Sequence, residues 1–130
     1  MTQTTSSAIT EISRQYIAVW NDPDPAARRA AVESLWAPDG AEFLDGTQFR
    51  GHDELDARVG RAYDAFVGSG KYTVTGADDV SVHDDIVVFD ARLTEPSGEA
   101  AWTARVFLLL GPDGQIREDY HVVIKPLPPS

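Results

Sequence analysis

Cysteine is missing from all 130 residues, which excludes disulfides, thiolate nucleophiles and zinc–sulfur sites together. Positive charge is scarce: 11 Lys and Arg stand against 21 Asp and Glu, for a formal net charge of −10. Phosphate recognition begins with a basic surface, so this balance argues against nucleic acid and against anionic membrane as partners. Long apolar runs are missing as well. The longest strongly apolar run is Val106 to Leu110, far short of a membrane span. Met1 to Ser7 carry neither a basic nor an apolar stretch and do not read as a signal peptide, so the cytoplasm is the expected location.

Several chemical signatures are also wanting. There is no G-x-S-x-G for a nucleophilic serine and no G-x-G-x-x-G for a dinucleotide. Gly68-Ser69-Gly70-Lys71 is followed by Tyr72 where a phosphate loop needs Ser or Thr. His52, His83 and His121 are far apart without local ligand spacing, and the Asp-Asp pairs lack the spacing of a calcium loop. No metal and no cofactor are expected.

What is present is ordinary for a globular chain: 42% hydrophobic and 25% charged residues. One domain is expected, its core at about residues 8–125, with a short N-terminal tail and a proline-rich end, Lys125 to Ser130. Ile9, Ile12, Tyr16, Val19 and Trp20 recur at spacings of three and four, which predicts a helix with one apolar face. Asp24-Pro25 supplies an N-cap and a first-turn proline for a second helix. Ala27, Ala31, Val32, Leu35 and Trp36 should face inward, Arg28, Arg29 and Glu33 outward, and Ala37-Pro38-Asp39-Gly40 should end it. A strand pair over 41–50 turns at Asp45-Gly46, and a third helix runs from Gly51 to Val67.

Strands are then predicted at 71–82 (interrupted near Gly76), 86–94, 101–110 and 115–124, separated by Asp-, Gly- and Pro-rich turns. Helices followed by a meander of long strands describe an α+β domain, with the helices on one side of a mostly antiparallel sheet. Trp102, Ala104, Val106, Leu108 and Leu110 share one face of their strand, and Arg105, Phe107 and Leu109 the other. On the last strand Ile116, Tyr120, Val122 and Ile124 oppose Arg117, Asp119, His121 and Val123. Apolar groups on both faces predict a homodimer through the sheet face that the helices leave open.

Three stretches carry a resemblance: Gln15 to Asn21, Leu35 to Ala41, and Phe49 to Leu55, followed at the end by Gly114 to His121. In their order and spacing the chain resembles the nuclear transport factor 2-like superfamily, and within it the SnoaL-like polyketide cyclases and ketosteroid-isomerase-like proteins. That resemblance implies a cone formed by a strongly curved sheet, with three helices enclosing a pocket. It implies isomerase, cyclase or dehydratase chemistry, or a silent binding module, since this scaffold hosts all of them. It places Tyr16 where the isomerases carry an oxyanion-binding phenol, Asp45 near their general base, and His121 where SnoaL-like enzymes commonly carry a proton-abstracting aspartate. Val106 stands where the isomerases have a second, protonated acid, and Gly46 follows Asp45 in place of a proline.

Each candidate also has a plain structural reading. Tyr16 has the spacing of a core residue whose hydroxyl need only find a carbonyl, or it lines the pocket and polarises a ligand oxygen. Asp45 either closes its own turn or acts as a base in an apolar pocket. His121 is a mouth residue, or a general acid or base, with Asp119 on the same strand face to orient its ring. Asp90 and Arg92 share an exposed strand face or a dimer rim. Trp20, Trp36, Tyr63 and Trp102 are candidate pocket walls or core, with Val106 beside Trp102. The expected function is binding of a small apolar, carbonyl-bearing ligand, with cofactor-free acid–base catalysis. A non-catalytic module, or an epoxide hydrolase, is the alternative.

Overall fold

A computed structural model of the chain describes residues 6–128. Residues 1–5 and 129–130, which belong to the two terminal tails, lie outside it.

Helix α1 (Ser6–Val19) buries Ile9, Tyr16 and Val19, and Trp20 is buried just past its end. Helix α2 (Pro25–Leu35) starts as its sequence dictates: the Asp24 side chain accepts from the Ala26 N–H at 3.0 Å, and Pro25 occupies the first turn. Arg28, expected outward, is buried instead. Its Nη1 donates to the Asp22 carbonyl at 2.8 Å, and its guanidinium lies 4.8 Å over the Tyr63 ring, joining the α1–α2 turn to the end of the third helix. Helix α3 (Gly51–Ala62) continues into one π-helical turn, Tyr63–Val67. Such a turn widens the helix locally and re-aims its side chains.

The strands are β1 (Trp36–Leu44), β2 (Thr47–Arg50), β3 (Thr73–Gly76), β4 (Ser81–His83), β5 (Ile86–Thr94), β6 (Ala100–Leu110) and β7 (Ile116–Lys125). They form one open, seven-stranded sheet in the order β2-β1-β7-β6-β5-β3, with β4 also on β5. Among these strands only β1 and β7 pair in parallel; the other pairings are antiparallel. The α+β class expected from the sequence is the observed one.

Strand β1 departs from expectation. It begins at Trp36, not at residue 41, and so takes in the Pro38 and Gly40 that read as helix-ending residues. The cause lies far away in sequence: Trp36 pairs with Ile116 and Leu44 with His121. A register shift between Trp36 and Ala41 accommodates Pro38 and Asp39, which are exposed. Gly40 allows the close approach there, since a Cβ would stand 2.8 Å from the Ile116 carbonyl oxygen.

Strand β7 presents two different faces. Its inner face carries Asp119 and His121, while Tyr120, Val122 and Ile124 are exposed on the outer face. Ile116, expected with that outer set, is buried instead. The bulge that shifts the β6–β7 register between Leu109 and Leu110 changes the alternation after Ile116. The core lies between the helices and the inner sheet face, built from Val32, Leu35, Leu55, Val59, Phe89, Val106 and Leu108 among others. No helix among the described residues is long and apolar enough to cross a membrane.

Candidate functional site

Neighbouring strands determine which side chains meet. Glu42 is the register partner of Asp119, and Leu44 of His121, so the two carboxylates stand side by side on the inner face. Both Glu42 and Asp119 are fully buried. Two unpaired charges in such a place would be costly, so compensation must come from elements facing the sheet. Helix α3 sends Arg58, whose Nε and Nη2 donate to the two Glu42 oxygens at 3.1 and 3.2 Å. Helix α1 sends Tyr16, whose hydroxyl donates to Asp119 Oδ2 at 2.7 Å.

His121 lies at the centre. Its Nε2 is 2.5 Å from the Tyr16 oxygen and 3.0 Å from Asp119 Oδ1, and its Nδ1 is 3.2 Å from Glu42 Oε2. The two carboxylate contacts are close charge contacts off the line of a good hydrogen bond. Burial pulls the imidazole toward its neutral form. Asp119 and then Glu42, whose carboxylate oxygens lie 3.0 and 3.2 Å from the ring nitrogens, oppose this and leave His121 raised above its ordinary value. Glu42 is itself raised, by burial first and by the Asp119 charge, against the lowering effects of His121 and Arg58. Tyr16 is raised well above the usual phenol range by burial and the two carboxylates, so it remains an uncharged O–H. When His121 is protonated, imidazolium and guanidinium face the two carboxylates and the buried group is charge-balanced.

This network forms one wall of a cavity of about 260 Å³ between α1, α3, the π turn and the inner sheet face. Tyr16, Trp20, Arg58, Trp102 and His121 line it together with Leu44, Phe66, Leu93 and other apolar residues, and Leu127 of the C-terminal segment closes one side. Tyr16 is held from behind by Trp36 and Phe89, with ring centroids 5.6 and 5.5 Å away.

Of the residues singled out in the sequence, His121, Tyr16, Trp20 and Trp102 meet at this cavity. Asp119 stands behind His121, its Oδ1 3.0 Å from the ring, without lining the cavity. Asp45 does not join them. It is exposed in the β1–β2 turn at φ 48°, where the two-residue connection turns the side chain away from the inner face. Trp36, expected on α2, opens β1 and packs in the core behind Tyr16. Tyr63 carries the Arg28 guanidinium outside the cavity lining, and Val106, the register partner of His121, is core. Asp90 pairs with Arg105, and Arg92 with Asp78, on the outer face. No group of three or more His, Cys, Asp or Glu among the described residues is arranged to hold a metal ion.

Two residues of the network escaped the sequence reading, Glu42 and Arg58. A signal for Arg58 existed. It lies three residues after Leu55 and four before Ala62, on the inward stripe of its helix. Glu42 alternates with Phe43 on a strand whose partner no local pattern identifies, so nothing nearby marks it.

No protein-family model matches the chain, and no curated protein matches it in sequence. Solved structures do match. A candidate isomerase of the SnoaL-like family from Agrobacterium tumefaciens superposes with a TM-score of 0.77 at 25% identity, over 87% of this chain and 94% of that one. A candidate polyketide cyclase from Sinorhizobium meliloti gives 0.66 at 18% identity, covering 85% and 93%. A protein with a ketosteroid isomerase-like fold from Catenulispora acidiphila, solved in complex with trimethylamine, gives 0.64 at 21%, covering 85% and 83%. The chain therefore has the fold of the nuclear transport factor 2-like superfamily, among whose structures its matches include SnoaL-like, polyketide-cyclase and ketosteroid-isomerase-like proteins.

Proposed function

We propose that the protein is a cofactor-free acid–base enzyme that acts on an apolar, carbonyl-bearing ligand in this cavity. The observation that carries the reading is the meeting of Tyr16 and His121, with Arg58 nearby, on a largely apolar wall, with Asp119 and Glu42 behind the imidazole. Neutral His121 takes a proton from the carbon next to the carbonyl. The C–H electron pair becomes the enolate π bond, and the carbonyl π pair moves to oxygen. Tyr16 turns its hydroxyl from Asp119 to that oxygen, and the two carboxylates stabilise the imidazolium that has formed. Return of the proton to a different carbon completes an isomerisation; loss of a leaving group completes an elimination. Asp45 has no part in this scheme.

A second reading is favoured by one contact. The Tyr16 O–H is already spent on Asp119, as it would be in a non-catalytic ligand-binding module. Deuterium exchange separates the two. In deuterium oxide, cyclic β,γ-unsaturated ketones should gain deuterium next to the carbonyl faster with the protein than without it. His121→Ala should abolish the gain, and Tyr16→Phe should slow it about 10²-fold, the usual loss for one oxyanion donor. Exchange that survives both substitutions would sink the mechanism, and no exchange with any probe would leave the binding module.

The outer sheet face supports a homodimer. Tyr120, Val122 and Ile124 are 40%, 53% and 51% exposed, and Phe43 stacks on Tyr120 at 4.7 Å beside them. A second copy of the chain is the partner proposed for this face.

A further inference from the structure

The polar side chains on the cavity wall share one property. Tyr16, Trp20, Arg58, Trp102 and His121 each carry an O–H or N–H, and no carboxylate is among the lining residues. Glu42 and Asp119 are adjacent to the cavity in the fold but stand behind Arg58 and His121. The buried charges thus form a layer with its negative side in the sheet and its positive side toward the ligand.

Arg58 has capacity left. Its Nε and Nη2 are spent on Glu42, whereas Nη1 has no hydrogen-bond partner among the described residues and is not sealed inside the protein. The guanidinium is held between two rings, with its Cζ 5.2 Å from the Trp20 centroid and 5.2 Å from the Phe49 centroid. A fixed, planar, half-used guanidinium at the edge of an apolar cavity is suited to an anionic oxygen, since the bond is charge-assisted and needs little further ordering.

We infer that the cavity takes an apolar carboxylate, its hydrocarbon body against Trp102, Phe66 and Leu93 and its charge on the free edge of Arg58. Arg58 is then the residue that selects ligands, and Glu42 the one that positions it. An amine of the same shape would meet the like charge of Arg58 and no carboxylate among the lining residues. This assignment rests on the cavity's being the proposed ligand site, but it does not require turnover.

Titration calorimetry on the full chain tests it with four probes of one shape: cyclohexylacetate, cyclohexylacetamide, 2-cyclohexylethanol and 2-cyclohexylethylamine. The acid should bind about tenfold or more tighter than the amide, the usual gain of a charge-assisted bond over a neutral one. The double variant Glu42→Gln/Arg58→Met removes both members of the ion pair and leaves no buried unpaired charge. In it the acid-to-amide ratio should fall to about one while amide binding persists. Equal binding of acid and amide by the parent would overturn the assignment, and that ratio needs no variant. So would the amine binding tightest, the failure of all four probes to bind, or an acid preference that survives in the double variant. Acid binding without deuterium exchange would refute catalysis alone, and exchange without acid preference would refute the carboxylate alone.

Discussion

The Glu42–Arg58 pair is the point at which the buried network can be tested for stability. Arg58→Met keeps a long apolar stem between Trp20 and Phe49 but removes the guanidinium that is hydrogen-bonded to a fully buried carboxylate. Breaking a buried pair by removing one partner costs about 3–5 kcal/mol. The Arg58 side chain is 18% exposed, which puts the expected loss near the lower end, about 3 kcal/mol. Adding Glu42→Gln should recover most of it, leaving the double variant within about 1 kcal/mol of the parent. Urea unfolding followed by tryptophan fluorescence reads this as a fall in midpoint of about 1–3 M for Arg58→Met at an unchanged slope. The sign of the pH effect follows from Glu42, which His121 and Arg58 together hold down against burial. Without Arg58 the carboxyl rises further and escapes the penalty by binding a proton. The loss should therefore shrink as pH falls and grow as pH rises through the raised value. A loss below about 1 kcal/mol, or single-variant effects that simply add, would refute the claim that Arg58 compensates the buried Glu42 carboxyl.

The His121 ring protons, followed by NMR, should titrate above the ordinary value of 6.5, and Asp119→Asn should bring the midpoint down. Asp119, Glu42, Arg58 and Tyr16 all face this ring, and only the first two favour its charge. Because the folded value is raised, the stability that His121 contributes is complete below the unfolded value and is lost as pH rises through the folded one. A midpoint at or below 6.5 would refute that reading. Val122→Lys, on the outer sheet face, should convert the proposed dimer to monomer in light-scattering measurements without disturbing the fold, since Val122 is 53% exposed. A parent chain that is already monomeric would rule out the dimer.

Much of the architecture could be read from local signals, because those signals act over a few residues. Asp24-Pro25 starts a helix wherever it occurs before an apolar periodic run, and the structure starts one there. The Ile86–Thr94 strand alternates buried and less buried residues along its whole length, and from Phe89 to Thr94 its sequence alternates in step. Strand β1 shows where such reasoning stops. Pro38 and Gly40 are breakers for a helix, but they are tolerated in a strand that a remote parallel partner holds in place.

The candidate site divides along the same line. Tyr16, Trp20, Trp102, Asp119 and His121 were visible in the sequence by helix spacing, strand alternation and resemblance, since each depends on the face its own element presents. Asp45 fell away because a turn aims its side chain by local φ and ψ, whatever the likeness to other chains. Only the tertiary structure could pair Glu42 with Asp119 across two strands more than seventy residues apart and bring Arg58 down on them from a helix. By itself, then, the sequence determined the element types, the acidic surface and the aromatic supply, each of which follows from neighbouring residues. The register of β1 on β7, with α3 packed over it, decided that two carboxylates, one imidazole and one guanidinium share one buried cluster, because charge compensation is a property of distances between elements.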